Sequence, residues 1–192
     1  MTVEEYFRFE EDSPIKHEYV AGDVYAMSDV TARHNLIAGT IFARFFAAES
    51  GTACRVFMSA MRLEAAEDKY YYPDVLVICA GIADSDIVAR EPCIVVEVTS
   101  PSTARIDRSE KLEAYRAILS LRTYLIIDHR RRRVERHWRD GSGEWMRSEV
   151  VGADETPIRV PCLDVDLTLD AIYRRVELPA VGEPDAAEYG AS

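Results

Sequence analysis

The sequence predicts a mixed α/β (α+β) fold in which a central β-sheet is flanked by helices, with a β-hairpin near each end. Three observations carry this. Apolar, β-branched runs of strand length recur at Cys54–Leu63, Tyr70–Cys79, Cys93–Thr99 and Thr123–Asp128. Between and before them lie stretches with helical apolar spacing, at 29–50 and about 104–119. The chain has 192 residues, 48% of them hydrophobic and 30% charged, which suits one domain with a full core.

Taken in order, residues 1–12 predict a short acidic helix. Residues 17–27, HEYVAGDVYAM, read as two extended runs turning through Ala21-Gly22-Asp23. Over 29–50 the apolar positions Leu36, Ile37, Ile41, Phe45 and Ala48 define a helix face, and Gly51 stops it. The three strand runs follow, then a helix after Pro101, then Thr123–Asp128. A second hairpin is expected at 133–150 through Asp140-Gly141-Ser142-Gly143, and a last short helix at 165–176. A single domain therefore spans 1–176. Residues 177–192 carry four acids and no base and read as a disordered tail.

The net charge is −11, of which the tail supplies −4. That argues against a sequence-independent grip on a phosphate backbone by the whole surface, and leaves room for a local basic patch. It also fits a site that gathers carboxylates around metal ions. No apolar run approaches the roughly 20 residues of a membrane span. The acidic N-terminus lacks the apolar core of a signal peptide, so a cytoplasmic location is expected. Cys54, Cys79, Cys93 and Cys162 form no CxxC pair. Buried free thiols are expected of them rather than disulfides or zinc. No Gly-rich phosphate loop or HExxH motif is present, so neither a nucleotide-binding ATPase nor a zinc protease is supported.

Polar residues in apolar places point to a site. Glu97 interrupts Cys93–Thr99, a strand that should be central. A buried carboxylate is costly unless paired or bound to metal, the alternative being a strand end that meets water. Asp74 follows Pro73 at the start of another buried strand. Alone it is an ordinary strand-start residue, but two carboxylates on neighbouring strands can share a hard divalent cation. Lys111 falls on the apolar face defined by Leu112, Tyr115, Ile118 and Leu119. It either points at a buried anion or pairs on the surface with Asp107, four residues earlier. Glu18 alternates with apolar positions in the first hairpin and reads as solvent-facing. His34 reads as a capping or packing histidine, and Ser100, Ser102 and Thr103 as caps for the next helix. The segment 129–139 carries six arginines and one glutamate. As a strand it would present Arg131, Arg133 and Arg136 with Trp138 to stack on a base, or else form a solvated hairpin or dimer contact.

Taken together, YYPDV at 71–75, the 23-residue step from Asp74 to Glu97, VVEVTSPST at 95–103, and then Lys111 and Tyr115 resemble the PD-(D/E)XK nuclease superfamily. The closer resemblance is to its Uma-two family of restriction-endonuclease-like proteins, which HEYVAGDVYAM, the helix carrying His34 and YLIID at 124–128 also match. The resemblance covers about residues 1–175. It implies a restriction-endonuclease-like core and an Mg²⁺ (or Mn²⁺)-dependent endonuclease acting on nucleic acid, with DNA expected. Asp74 and Glu97 are implied as the metal-binding acids, with Glu18 as an additional acid. The superfamily's lysine two residues after the second acid is Thr99 here. In the Uma-two family it moves to the following helix, which makes it Lys111. The Val98 carbonyl is a further candidate metal ligand. A symmetric homodimer would suit cutting two strands. The competing readings are a catalytically silent relative serving as a dimeric binding or structural protein, and a metal-assisted hydrolase of another substrate.

Overall fold

The protein is described by a computed structural model covering residues 1–27, 29–99, 106 and 108–179. Helix α1 (Val3–Asp12) opens with a capping box: the Glu5 amide donates to Thr2 Oγ1, and the Thr2 amide donates to the Glu5 carboxylate. Strands β1 (His17–Val20) and β2 (Asp23–Ala26) form the expected hairpin. Its two-residue turn has positive φ at Ala21 (49°) and Gly22 (102°). That geometry matches strand twist, and glycine reaches it without strain.

Helix α2 (Ala32–Glu49) is capped by Thr31, whose hydroxyl accepts from the His34 amide. It buries His34, Ile37, Ala38, Ile41 and Phe45. Leu36, expected on that face, is exposed. Two of the expected strands are each broken in two. Residues 54–63 give β3 (Arg55–Met58) and the start of β4 (Arg62–Ala66). Residues 70–79 give the end of β5 (Lys69–Tyr71) and β6 (Val75–Ile78), with Pro73 in the break, where a missing N–H would interrupt a ladder. Short β7 (Val88–Ala89) precedes β8 (Pro92–Thr99). Helix α3 (Glu110–Ala117) is shorter than expected, so Leu119 lies beyond it and is exposed. The expected caps Ser100, Ser102 and Thr103, and Asp107, lie outside the described residues. Strand β9 (Thr123–Asp128) and the hairpin β10 (Arg133–Arg139)–β11 (Trp145–Val151) match expectation. The expected helix at 165–176 is a correction: β13 (Val165–Leu167) occupies its first half, pairing with β12 (Ile158–Val160), and only α4 (Leu169–Tyr173) is helical. The tail is described only to residue 179.

The strands form two main sheets. The central one runs β11-β10-β9-β8-β6-β3 and is mixed, with β8 and β9 parallel and its other neighbours antiparallel. The second runs β2-β1-β5-β4-β7. Alternation in β8 sorts the core into two layers. Ile94, Val96 and Val98 pack with α2 and the C-terminal β12–α4 unit. Val95 packs on the other face with Ala114 and Tyr115 of α3 and Leu63 and Tyr71 of the second sheet. Each fully buried aliphatic side chain stabilises the fold by about 1.5–3 kcal/mol. A third cluster, Tyr6, Tyr19 and Tyr70, ties α1 to the first hairpin. The second sheet thus carries β1 towards the strand ends where β6 begins and β8 finishes.

Candidate active site

Val75 of β6 stands opposite Val96 of β8. Continuing that antiparallel register one step sets Asp74 opposite Glu97. Asp74 is held from two sides. Its Oδ2 accepts the Val98 amide at 2.7 Å, and its Oδ1 lies 2.7 Å from His34 Nε2. Val98, a candidate ligand through its carbonyl, therefore contributes its N–H to orienting Asp74.

Glu97 is buried on the α3 face of the sheet. Its Oε1 accepts from the Tyr115 hydroxyl at 2.9 Å and from Lys111 Nζ at 3.2 Å. Burial pushes the Tyr115 hydroxyl's pKa well up, and the Glu97 charge adds to this, so it stays a donor. Lys111 also reaches Glu18 Oε1 at 2.8 Å. Its ammonium therefore bridges acids from β1 and β8 with only 9% of its side chain exposed. Glu18 is 19% exposed in its side chain, and its Oε1 accepts the Tyr72 amide at 3.4 Å. The solvent-facing reading of Glu18 is thereby corrected, because its partner arrives from α3. Lys111 thus meets buried anions, as one of its two readings required, while Asp107, the partner in the other, lies outside the described residues.

The structure thus brings Glu18, Asp74, Glu97 and Lys111 to one end of the central sheet. Sequence reasoning underrated His34. It does sit in the first turn of α2, yet its ring contacts Asp74. The signal was its membership of the 34–37–38–41–45 stripe, which faces the core. His129, also buried, stands with its ring 6.3 Å from that of His34. The arginine strand is divided by alternation. Arg136 and Trp138 share the face of Val134 and stack on each other, guanidinium to ring at 4.2 Å. Arg133 shares the face of Glu135, and Arg131 is exposed in the turn before β10. Glu135 is a second buried carboxylate on the Glu97 face, separated from it by Ile126. It gathers Arg147 Nε at 2.8 Å, His137 Nε2 at 2.8 Å and Arg108 Nε at 3.2 Å. A cavity of about 720 Å³ lies beyond Tyr72, lined by Phe7, Lys16, Met61 and Arg62, and Glu18, Asp74 and Glu97 do not line it.

The fold is shared with a solved structure. A crystal structure titled "a putative nuclease belonging to DUF820", from Anabaena variabilis ATCC 29413, superposes with a TM-score of 0.75. The match covers 91% of this chain and 98% of that one at 14% identity, a likeness of fold. A family model described as "Putative restriction endonuclease", Uma2, matches residues 3–171, and the chain belongs to that family. Two relatives from Synechocystis sp. (strain ATCC 27184 / PCC 6803 / Kazusa) carry the names "Uncharacterized protein sll1609" and "Uncharacterized protein slr1290". The first is 33% identical over 79% of this chain and 88% of its own length. The second is 28% identical over 91% and 92%. Among the described residues no helix is long and apolar enough to cross a membrane.

Proposed function

We propose that the protein is a metal-dependent nuclease that hydrolyses phosphodiester bonds, with DNA as substrate. The observation that carries this is Lys111, an almost buried ammonium brought by α3 into contact with acids from β1 and β8. A structural ion pair would need one partner, whereas here one lysine is shared between two carboxylates beside a third, Asp74.

The donor set fits a hard divalent cation. Asp74 and Glu97 offer carboxylate oxygens whose remaining lone pairs can bind metal while their hydrogen bonds persist. Mg²⁺ is commonly held by one or two carboxylates, with waters completing the shell. Asp74 and Glu97 would hold it, with Glu18 completing the shell or serving a second ion and the Val98 carbonyl as a further ligand. Bound there, Mg²⁺ or Mn²⁺ would polarise the phosphate and acidify a water. The chain's own groups do the rest. The Val98 amide and His34 keep Asp74 from rotating, so its charge is preorganised. Tyr115 holds Glu97 oriented through its 2.9 Å hydrogen bond. Lys111 places a cation where negative charge grows on the phosphate, and can orient the attacking water from its position between Glu18 and Glu97. Arg131 and Arg133 would meet the phosphate backbone beside the acids. Arg136 and Trp138 would need a strand passing the opposite face. A homodimer would set two such sites against two strands.

A catalytically silent relative that binds a partner is the second reading, favoured by arginines already committed within the fold, such as Arg132 with Asp170 and Arg133 with Glu149. The test is cleavage of supercoiled plasmid, with an RNA arm, at low salt with Mg²⁺ or Mn²⁺ and a chelator control. Parent, Asp74→Ala and Lys111→Ala proteins run side by side. Cutting by the parent alone is expected. Equal cutting by all three would sink the site assignment. A parent that cuts neither nucleic acid, yet binds Mg²⁺, would favour the silent relative.

A further inference from the structure

The four cysteines come from four separate stretches and meet at one place. Arg55 of β3 stands opposite Ile78 of β6, so the next antiparallel step sets Cys54 opposite Cys79. Between β6 and β8 the register shifts, with Val77 opposite Ile94 and Ile78 opposite Pro92. Cys93 is the extra residue of that bulge, a position that re-aims a side chain. It packs with the α2-side core, as Ile94 does. The 3₁₀ turn Pro161–Leu163 then delivers Cys162, whose Sγ lies 3.8 Å from the Cys93 carbonyl, while Cys54 Sγ lies 3.6 Å from the Cys162 carbonyl. The sulfurs of Cys79, Cys93 and Cys162 all fall within 4.8 Å of one another. The expectation of four free thiols is corrected: the structure pairs Cys54 with Cys79 and Cys93 with Cys162 as disulfides. Proximity across the sheet produced this, and no local Cys spacing announces it.

We propose that in the reduced chain these four thiolates bind a single Zn²⁺ in a closed, tetrahedral structural site. A Cys₄ set is a zinc donor set, and Zn–S bonds near 2.3 Å place tetrahedral sulfurs about 3.8 Å apart. Three of the sulfurs already lie within 4.8 Å of one another and need only small adjustments to reach that spacing, and Cys54, paired with Cys79, brings the fourth. An iron–sulfur cluster carries inorganic sulfide among its irons and needs its protein sulfurs wider apart. Binding releases four protons, one from each thiol, and transfers no electrons. The oxidised chain would first take four electrons and four protons from a dithiol reductant, cleaving both disulfides.

The ion would act as a clip. Cys162 belongs to the C-terminal unit that caps the α2 side of the core, while Cys93 lies in β8 and Cys54 and Cys79 stand at the ends of β3 and β6 in the central sheet. The site is separate from the acids: β6 and β8 carry Asp74 and Glu97 towards their opposite ends, about 13–16 Å away at strand rise. Thiolate sulfur suits Zn²⁺ at this end, and carboxylate oxygen suits Mg²⁺ at the other.

The experiment uses the full chain, made in a reducing cytosol and purified without oxygen in the presence of a phosphine reductant. Elemental analysis is expected to find a single zinc per chain. Replacing it with Co²⁺ is expected to give the thiolate-to-cobalt charge-transfer band and the intense visible bands of a tetrahedral site. Cys162→Ser is expected to lose zinc and Asp74→Ala to keep it. A mercurial thiol reagent should release the zinc from parent protein in step with thiol capping, a readout that holds even where Cys162→Ser fails to fold. Parent protein without zinc and with four titratable thiols would overturn the proposal. So would parent protein that emerges with both disulfides intact under those conditions, or zinc that remains after every thiol is capped. None of these outcomes bears on whether the acids cut nucleic acid.

Discussion

Replacing Lys111 by methionine removes a charge and keeps a stem of similar length. Lys111 Nζ lies 2.8 Å from Glu18 Oε1 and 3.2 Å from Glu97 Oε1. Those contacts place the two carboxylate oxygens within about 6 Å of each other, where like charges repel by about 3 kcal/mol at an effective dielectric near 20. Breaking a buried pair by deleting one partner costs about 3–5 kcal/mol, so the two figures agree. At about 2–4 °C per kcal/mol for a chain of this size, the metal-free variant should melt roughly 6–12 °C below the parent. A divalent cation would restore the missing positive charge. Mg²⁺ should therefore raise the melting temperature of Lys111→Met more than that of the parent, since a ligand's stabilisation grows with the logarithm of its affinity for the folded state. Thermal melts in chelator and across a Mg²⁺ titration read both effects. Equal melting in chelator would refute the buried charge bridge. An equal Mg²⁺ response in both proteins would refute the idea that ammonium and metal answer to the same acids.

Tyr115→Phe deletes the 2.9 Å hydrogen bond to Glu97, a charged acceptor, and should cost about 1.5–3 kcal/mol in urea unfolding; an unchanged midpoint would contradict the assigned contact. His34→Ala frees Asp74 Oδ1 and should raise the Mg²⁺ concentration for half-maximal cleavage more than it lowers the saturated rate, and the reverse split would give His34 a direct part in the chemistry. Burial pushes the Glu135 carboxyl up, but hydrogen bonds from Arg147, His137 and Arg108 outweigh that and hold it at about 2, below the ordinary 4.5. A carboxyl depressed by folding stabilises fully above its unfolded value, so up to about 3 kcal/mol should be lost as pH falls from about 4.5 to about 2. Urea melts across that range should show the slope in the parent and a flatter one in Glu135→Gln. Cleavage should weaken with salt, with a log–log slope of about −0.9 for each phosphate contacted, and a flat profile would exclude Arg131 and Arg133 as the grip.

Element types were largely legible because strand and helix periods are properties of short windows. Thr123–Asp128 is a strand from end to end, since its first five residues are buried and alternate between both faces of the sheet. Breaks were less legible. Tyr70–Cys79 reads as one apolar run, yet Tyr70 and Tyr71 serve the second sheet while Val75–Ile78 serve the central one. Pro73 does set the strand proper to begin near Asp74, and it begins at Val75, but only tertiary pairing shows that the two halves serve different sheets. Glu97 and Lys111 were legible because each violates the pattern of its own segment. Glu18 and His34 violate nothing locally that points to a site; their significance lies in partners 93 and 40 residues away.

The arginine run shows how topology changes the meaning of composition. Six arginines within 129–139 look like an electrostatic surface. In the fold, Arg132 reaches Glu155 and Asp170, and Arg133 reaches Glu149. Arg136 lies over Trp138, and Arg139 donates to the Gly143 and Arg116 carbonyls. Much of the positive charge is spent joining β10 to its neighbours, which a strand in mid-sheet requires. Position still gives the run a place beside the acids. Strand β9 runs parallel to β8 with Asp128 opposite Thr99, so the turn at 129–132 emerges at the same end of the sheet as Glu97. Asp128 Oδ1 accepts the amides of Arg130 and Arg131 there, fixing the backbone while leaving Arg131 exposed. A substrate phosphate approaching Asp74 and Glu97 would thus meet a turn whose backbone is set and whose cationic side chain reaches into solvent. That arrangement reconciles a net charge of −11 with the polyanionic substrate proposed for it: binding would draw on a few positions near the acids and little on the rest of the surface.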